Sequence, residues 1–121
     1  MTLVPIFRVT NLRKAVAYYT SVFPFELAEE LTDESPVALL RWERAWLMLS
    51  VLPGDQPEAT SVNVWIADLD ALVLQLQGRG YQLPDRPESP VHSGIVLQTW
   101  GTRELYITDA DGNTLRLIEV Q

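Results

Sequence analysis

The sequence predicts an α+β fold in which two similar βαβββ modules, about residues 1–56 and 57–121, form a groove from a curved mixed sheet with the helices on its outer face. Three observations support this prediction. A strand, a helix cap and a helix occur twice in the same order. Each copy is followed by segments of β-like composition, and a length of 121 residues suits one domain.

The first element of each copy is a short apolar strand. Residues 9–12 (VTNL) correspond to residues 66–69 (IADL), which lie 57 positions later. Each tetrapeptide begins at the end of an apolar run, residues 3–9 in the first half and residues 62–66 in the second, and such runs predict strands. A single match of this length carries little weight, but the elements that follow agree as well.

A helix follows the strand in each copy. Asn11 and Asp68 are predicted N-caps, because their side-chain oxygens accept hydrogen bonds from free amides of the first helical turn. Pro24 ends the first helix, and Gly78 with Gly80 ends the second. The apolar residues that share one helical face are Leu12, Ala15, Val16, Tyr19 and Phe23 in the first copy and Leu69, Leu72, Val73 and Leu76 in the second.

Both halves of the chain then have β-like composition. The predicted strands are residues 26–31, 37–42 and 46–52 in the first half and residues 95–100, 104–108 and 114–120 in the second. Residues 109–113 (DADGN) predict a hairpin turn, because glycine and asparagine accept positive φ, and its two aspartates are expected to cap backbone amides. Residues 84–93, with three prolines, predict a loop, and residues 53–60 predict the linker between the modules.

The composition excludes several classes of function. Sixteen acidic residues against nine lysines and arginines give a net charge of −7, which argues against a nucleic-acid partner because phosphate binding requires clustered basic side chains. The same charge is compatible with a cationic ligand, although it also serves solubility alone. The absence of cysteine excludes disulfides, thiolate metal sites and cysteine nucleophiles.

The predicted location follows from the same features. Residues 1–5 (MTLVP) lack the charged start and apolar run of a signal peptide, and no apolar stretch approaches the ~18 residues that a membrane helix needs. We therefore expect a soluble, cytoplasmic protein with no membrane partner.

Residues 100–105 (WGTREL) and 109–113 (DADGN) carry a family resemblance. They resemble the W-G-x-R-E-F and D-P-x-G-N signatures of the vicinal oxygen chelate superfamily, which includes glyoxalase I, extradiol dioxygenases, fosfomycin-resistance enzymes and bleomycin-resistance proteins. Residues 4–6 (VPI) and 64–66 (VWI) are similar to bleomycin-resistance proteins in particular. The resemblance spans nearly the whole chain and implies the twofold βαβββ fold. Ala110 departs from it, because the family usually has proline there.

The resemblance implies that this chain has no metal cofactor. Metal-dependent relatives carry His, Gln or Glu at four places in the groove, and these places correspond to Val4, Met48, Ser61 and Arg116. Three of these side chains do not ligate a hard or borderline divalent cation, and serine offers only a neutral hydroxyl. Arg116 also brings a fixed positive charge to the place where a cation would sit. The single histidine, His92, is expected to be a solvent-facing loop residue.

Alternation along the strands assigns the side chains of the second module to two faces. The helix side is expected to receive Leu105, Ile107, Leu115 and Leu117, with Val62, Val64 and Ile66. The groove side is expected to receive Glu104, Tyr106, Thr108, Thr114, Arg116 and Ile118, with Ser61, Asn63 and Trp65.

The predicted ligand-binding residues are Trp65, Trp100, Tyr106, Asn63, Arg116 and Met48. Aromatic rings offer large contact areas and stack on heterocycles or cations. The resemblance implies that Trp65 and Trp100 belong to a drug-binding groove or border it. Both have an alternative interpretation as core or dimer-interface residues. Trp42 and Trp46 fit a subunit interface at least as well as a groove.

Three functions remain open at this stage. The first is a metal-free binding protein that sequesters an aromatic or cationic small molecule, such as a glycopeptide antibiotic, in the groove. The second is an enzyme of lyase, isomerase or dioxygenase type that works without metal through Tyr106, Glu104 or Arg116. The third is a relative that has lost its ligands and acts as a dimeric interaction module. We assign no catalytic residue, and the resemblance implies a homodimer.

Overall fold

A computed structural model of the protein describes residues 1–54, 56–85 and 94–120. The predicted α+β class and the two βαβββ modules are confirmed, because each half contains one helix and four strands in the predicted order. The elements are β1 (Ile6–Arg8), α1 (Leu12–Val22), β2 (Glu26–Leu27), β3 (Val37–Trp42), β4 (Ala45–Ser50), β5 (Ser61–Ile66), α2 (Leu69–Gly78), β6 (Val96–Leu97), β7 (Arg103–Thr108) and β8 (Thr114–Glu119).

The chain forms two compact units, each with its own sheet. The first unit comprises Met1–Thr60 and Asp111–Asn113, and the second comprises Ser61–Ala110 and Thr114–Gln121. The strand orders are β1-β4-β3-β2 and β5-β8-β7-β6, so that the two sheets have the same topology. In both, the first strand pairs in parallel with the last and the remaining pairs are antiparallel. The single-domain span of 1–121 with a module boundary near residue 56 stays a prediction.

An aromatic cluster forms much of the core of the first unit. The N-cap of α1 is Asn11, as predicted, and its side chain accepts a hydrogen bond of 3.1 Å from the amide of Lys14. The Tyr19 ring stacks on Phe23 at 5.8 Å between centroids, at the end of the helix. Trp42 packs edge-on against Phe25 at 5.5 Å. Trp42 therefore contributes to the core of this unit.

The second unit has a helix with well-defined ends. The Asp68 carboxylate accepts a 2.9 Å hydrogen bond from the amide of Ala71, as expected of an N-cap. At the other end, the amide of Tyr81 donates to the carbonyl of Leu76, and the amide of Gly80 donates to the carbonyl of Gln77. This Schellman pattern requires a left-handed residue, and glycine at position 80 supplies it with φ of +95°. The buried face of the helix is the predicted one.

The strands differ from the predicted ranges mainly at their ends. The predicted strand 95–100 is wrong for residues 98–100. Gln98 and Gly101 close a turn there, because the amide of Gly101 donates to the carbonyl of Gln98 at 2.9 Å and Gly101 has φ of +97°. Similarly, β1 and β2 are shorter than predicted, at three and two residues. His92 and most of the predicted loop 84–93 lie outside the described residues.

No helix in the described part of the chain is long and apolar enough to cross a membrane.

The turn residues 111–113 are held by side-chain hydrogen bonds within the first unit. The Asn113 side chain is fully buried, accepts from the amide of Thr60 at 3.0 Å and donates to the carbonyl of Arg8 at 2.8 Å. Asp111 accepts from both the amide and the hydroxyl of Thr10. The predicted capping role of the turn is therefore present at Asp111, and Asn113 adds a contact that the turn composition does not predict.

Replacing Asn113 by alanine is expected to lower the free energy of unfolding by at least about 1–3 kcal/mol, because the Thr60 amide and the Arg8 carbonyl both lose their partner. Gln75→Ala, which changes an exposed amide side chain on α2, is the matched control and should stay within about 0.5 kcal/mol. Urea unfolding of both variants measures the difference. Equal stability of the two variants would contradict the structural role of Asn113.

Candidate ligand-binding site

One face of the second sheet is apolar and buried, and the other carries the polar and aromatic side chains. Strand register pairs Asn63 with Arg116, Tyr106 with Arg116 and Glu104 with Ile118, so these side chains share one face. The alternating positions Leu105, Ile107, Leu115 and Leu117 are buried, as the predicted assignment of the helix side requires.

A buried carboxylate lies at the centre of the polar face. Glu104 is only 2% exposed and accepts four hydrogen bonds. Its Oε2 accepts from Trp100 Nε1 at 3.0 Å and from the Thr102 hydroxyl at 2.5 Å. Its Oε1 accepts from the Tyr106 hydroxyl at 3.0 Å and from Arg116 Nη2 at 3.4 Å. We call these five residues the Glu104 cluster.

Arg116 completes this cluster from the neighbouring strand. Its guanidinium donates to the Tyr106 hydroxyl, and its central carbon lies 4.6 Å from the centre of the Tyr106 ring. The Arg116 Nε atom is buried and has no hydrogen-bond partner. Arg116 is therefore mainly an internal counter-charge for Glu104, held against an aromatic ring.

The cluster fixes the protonation states of its two acids. Burial alone would raise the pKa of the Glu104 carboxyl, but the four donors outweigh burial and hold that pKa below its ordinary value of 4.5. Burial, followed by the hydrogen bond and the charge of Glu104, raises the pKa of the Tyr106 hydroxyl above 10.0 despite the nearby Arg116. At neutral pH Glu104 is therefore ionised and Tyr106 is a neutral phenol.

Two exposed indole rings form the walls of a cleft beside this cluster. Trp65 is 73% exposed and Trp100 is 63% exposed, which is unusual for so large an apolar ring. The cleft has a volume of about 340 Å³, at the lower end of the range for small-molecule sites. Its described lining is Trp65, Trp100, Gly101, Thr102, Ile118, Glu119 and Val120.

Among the described residues that line the cleft, the charged one is Glu119, at the end of β8. Its Oε2 accepts from the amide of Leu69, the first residue of α2, at 2.8 Å. Arg103 bridges Glu119 at 3.1 Å and Asp70 at 2.9 Å. The hydrogen bond from Arg103 holds the pKa of Asp70 below its usual value. The rim of the cleft therefore carries acidic rather than basic character, although Arg103 already balances part of it.

The structure brings some predicted ligand-binding residues together and leaves others apart. Trp65 and Trp100 line the same cleft, and Tyr106 and Arg116 are linked to Trp100 through Glu104. Asn63 is exposed beside Arg116 on β5 and does not line the cleft. Binding by these residues stays a prediction.

Met48 lies on β4 in the first unit, half-buried and paired with Ile6 and Leu39. It belongs to a different sheet from the other five predicted residues. Ligand binding by Met48 also stays a prediction.

Sequence reasoning missed the linking role of Glu104 and the contributions of Thr102 and Glu119 to the site. A glutamate at a position that alternates with buried leucines is a detectable signal, because a buried carboxylate needs partners. The polar residues two positions before and after it, Thr102 and Tyr106, supply them. The role of Glu119 depends on where β8 ends relative to α2, which the sequence pattern does not give.

The four places that the family resemblance assigns to metal ligands do not fit a divalent cation. Val4 and Met48 offer no hard donor, and Ser61 offers a neutral hydroxyl on an exposed position. Arg116 is engaged with Glu104 and Tyr106 and is positively charged. Within the described ranges, no three histidines, cysteines or carboxylates are grouped closely enough to hold a metal ion.

The chain belongs to the glyoxalase superfamily. Residues 1–121 match the family described as "Glyoxalase superfamily protein". This match confirms the resemblance to the vicinal oxygen chelate superfamily that residues 100–113 predicted. No curated protein sequence matches the chain.

Solved structures with similar folds include both binding proteins and an enzyme. A bleomycin-binding protein solved in complex with bleomycin has a TM-score of 0.77 at 21% identity, covering 100% of this chain and 99% of that one. A bleomycin-resistance determinant encoded on transposon Tn5 has the same score and identity, covering 100% and 98%. A lactoylglutathione lyase from Agrobacterium tumefaciens has a TM-score of 0.68 at 20% identity, covering 98% and 92%. These likenesses show a shared fold.

The lowered pKa of Glu104 predicts a specific pH dependence of stability. A carboxyl whose pKa is lower in the folded than in the unfolded chain stabilises the fold fully above its unfolded pKa, and this contribution is lost as the pH falls through its folded pKa. Glu104→Gln should therefore be less stable than the wild type by about 1–3 kcal/mol near neutral pH, and the difference should shrink in acid below pH 4.5. Urea unfolding across this range measures it. A difference that does not change with pH would contradict an ionised Glu104.

Proposed function

We propose that this chain is a metal-free binding protein that sequesters an aromatic or cationic small molecule, and that the cleft between Trp65 and Trp100 holds it. The observation that carries the proposal is the exposure of two indole rings on one cleft of about 340 Å³. Exposed aromatic rings of this kind stack on planar groups, and each supplies much contact area for little conformational entropy.

The charge of the site supports a ligand that is neutral or cationic. Glu119 lines the rim, and no basic side chain is among the described residues that line the cleft. The net charge of −7 adds a long-range field that attracts cations. A cation also interacts favourably with the face of an indole ring. An anionic ligand would meet unfavourable charge at this cleft.

Bleomycin is the appropriate first test ligand. One protein of similar fold is a bleomycin-binding protein that was solved with bleomycin, and another is a bleomycin-resistance determinant. At 21% identity these proteins do not define what this chain binds. They supply a compound with which the proposal is tested directly.

The alternative is an enzyme of this superfamily with a metal-independent site, and the Glu104 cluster is its best support. An efficient general base has a pKa near the working pH. Glu104 has a lowered pKa and is buried, and Tyr106 has a raised pKa and already donates to Glu104. These two groups are therefore poorly suited to proton transfer at neutral pH, which favours binding over catalysis.

We expect the tryptophan fluorescence of the wild-type protein to be quenched when metal-free bleomycin is added. Quenching should be the same with a chelator present, because the four positions that correspond to metal ligands hold no suitable donors. Trp65→Ala and Trp100→Ala should each weaken binding by about 1–3 kcal/mol, the range for losing one aromatic contact surface. Trp46→Phe, in the first unit beside Arg41, is the control and should bind as the wild type does.

Unfolding midpoints of the same variants separate a binding role from a core role. If Trp100 belonged to the core, its replacement by alanine would cost about 3–5 kcal/mol of stability. Absence of quenching, or binding that requires added metal, would count against the proposal. The interaction-module alternative predicts no bleomycin binding but an intact oligomer.

We further propose that the protein is a cytoplasmic homodimer. The exposed apolar side chain of Leu97 and the edge positions of β1 and β5 in their sheets favour association. Light scattering at micromolar concentration should therefore give twice the 13.7 kDa mass of one chain. A mass near that of a single chain would be inconsistent with the dimer.

A further inference from the structure

The Glu104 cluster has a feature that ligand stacking alone does not explain. Two of the four donors to its carboxylate, Trp100 and Thr102, also line the cleft. The other two, Tyr106 and Arg116, lie on the sheet behind it. A buried carboxylate is costly to keep without such partners. Glu104 therefore links residues that line the cleft to residues on the central strands β7 and β8 of the sheet.

Trp100 needs such an anchor because of where it lies in the chain. It precedes Gly101 in the turn closed by the Gly101 amide and the Gln98 carbonyl, outside any strand. The residue is 63% exposed, so packing restrains it little. An exposed side chain of this kind normally exchanges among several rotamers.

The hydrogen bond to Glu104 removes that freedom. Trp100 Nε1 donates to Oε2 at 3.0 Å, and hydrogen bonds to an ionised acceptor are about twice as strong as neutral ones. The indole N–H lies in the ring plane, so that fixing it at a buried, immobile oxygen fixes the orientation of the plane. The same oxygen accepts from Thr102, which restrains the carboxylate itself.

We infer that Glu104 is a positioning residue: its ionised carboxylate holds the Trp100 indole in the orientation that a ligand stacks on, and thereby sets the affinity of the cleft. The effect on affinity rests on the proposed binding function, whereas the fixed orientation of the ring does not. A ring that is already ordered loses less conformational entropy when a ligand binds, and the complex is correspondingly tighter.

The chemistry of the cluster explains why this position has a carboxylate rather than an amide. Oε2 accepts from Trp100 and Oε1 accepts from Tyr106 and Arg116, so both oxygens face donors. A glutamine has the same shape, but its NH₂ group would face donors on one side or the other. Glu104→Gln therefore breaks one half of the cluster while it preserves the volume of the side chain.

The first experiment needs no ligand. In ¹⁵N-labelled protein, Trp100→Phe identifies the indole N–H signal of Trp100 by its loss. In the wild type, we expect this proton to exchange with water at least about tenfold more slowly than that of the exposed Trp65, because breaking a hydrogen bond to a charged acceptor precedes exchange. Glu104→Gln should shift the Trp100 signal and lower its protection, because the indole N–H then faces either an amide NH₂ group or a neutral, weaker acceptor. Glu26→Gln, an exposed carboxylate on β2, should leave the signal unchanged.

Equal exchange of the Trp100 and Trp65 indole protons in the wild type overturns the inference. This comparison uses the unaltered protein, so that it remains decisive if Glu104→Gln fails to fold. It also remains decisive if the wild type binds no bleomycin, an outcome that contradicts the proposed function alone.

The second experiment is a double-mutant cycle on bleomycin affinity. Glu104→Gln should weaken binding by about two- to tenfold, the range that corresponds to ordering one side chain on binding. Trp100→Phe keeps a ring but removes the N–H, and should lose a similar factor. Combined, the two changes should weaken binding no more than the larger single change.

Trp65→Phe is the matched control for this cycle, because it shrinks another aromatic ring that lines the cleft and leaves the four hydrogen bonds to Glu104 in place. The fold losses of affinity caused by Trp65→Phe and by Glu104→Gln should multiply when the two changes are combined in one variant. Full additivity of Glu104→Gln with Trp100→Phe overturns the positioning role. Wild-type affinity of Trp100→Phe overturns it as well, and this variant leaves the Glu104 side chain in place.

Discussion

The period-two alternation of side chains along β7 and β8 is the constraint on which the second unit depends. Leu105 and Leu117 are fully buried on one face, so Glu104 and Arg116 are forced onto the other. A shift of register by one residue would exchange these faces and bury the charges against α2. Burial of the leucines therefore fixes where the polar cluster forms, and the cluster in turn holds the wall of the cleft.

Keeping a carboxylate as buried as Glu104 has a large desolvation cost, which four donors, one of them the cationic Arg116, offset. Removing one partner of such a group costs more than the pair contributes, because the remaining charge stays buried. A substitution at Glu104 or at one of its partners Thr102 and Tyr106 is therefore expected to destabilise the fold.

The sequence predicted the elements whose causes are local, and it failed where the cause is a contact between distant atoms or a backbone angle. Asn11 and Asp68 identify the helix starts by residue type alone, and alternation places Trp65 on the correct face. The bend that takes Trp100 out of the predicted strand depends on the positive φ of Gly101, which composition permits but does not require. The link from Trp100 to Glu104 follows from that bend, and so the anchored wall was not predictable.

A bleomycin-binding protein and a lactoylglutathione lyase have similar folds, so that the fold alone does not distinguish binding from catalysis and the distribution of charge in the site bears on the question. In the second unit, Glu104 and Arg116 are directed at each other and at Tyr106, and Arg103 is directed at Glu119 and Asp70. A catalytic site instead holds an ionisable group available to the reactant, with a pKa near the working pH. Here these ionisable groups are paired with one another, and the two indole rings are the largest exposed side chains among the described residues of the cleft. This arrangement of paired charges and exposed rings is the one expected of the proposed binding protein.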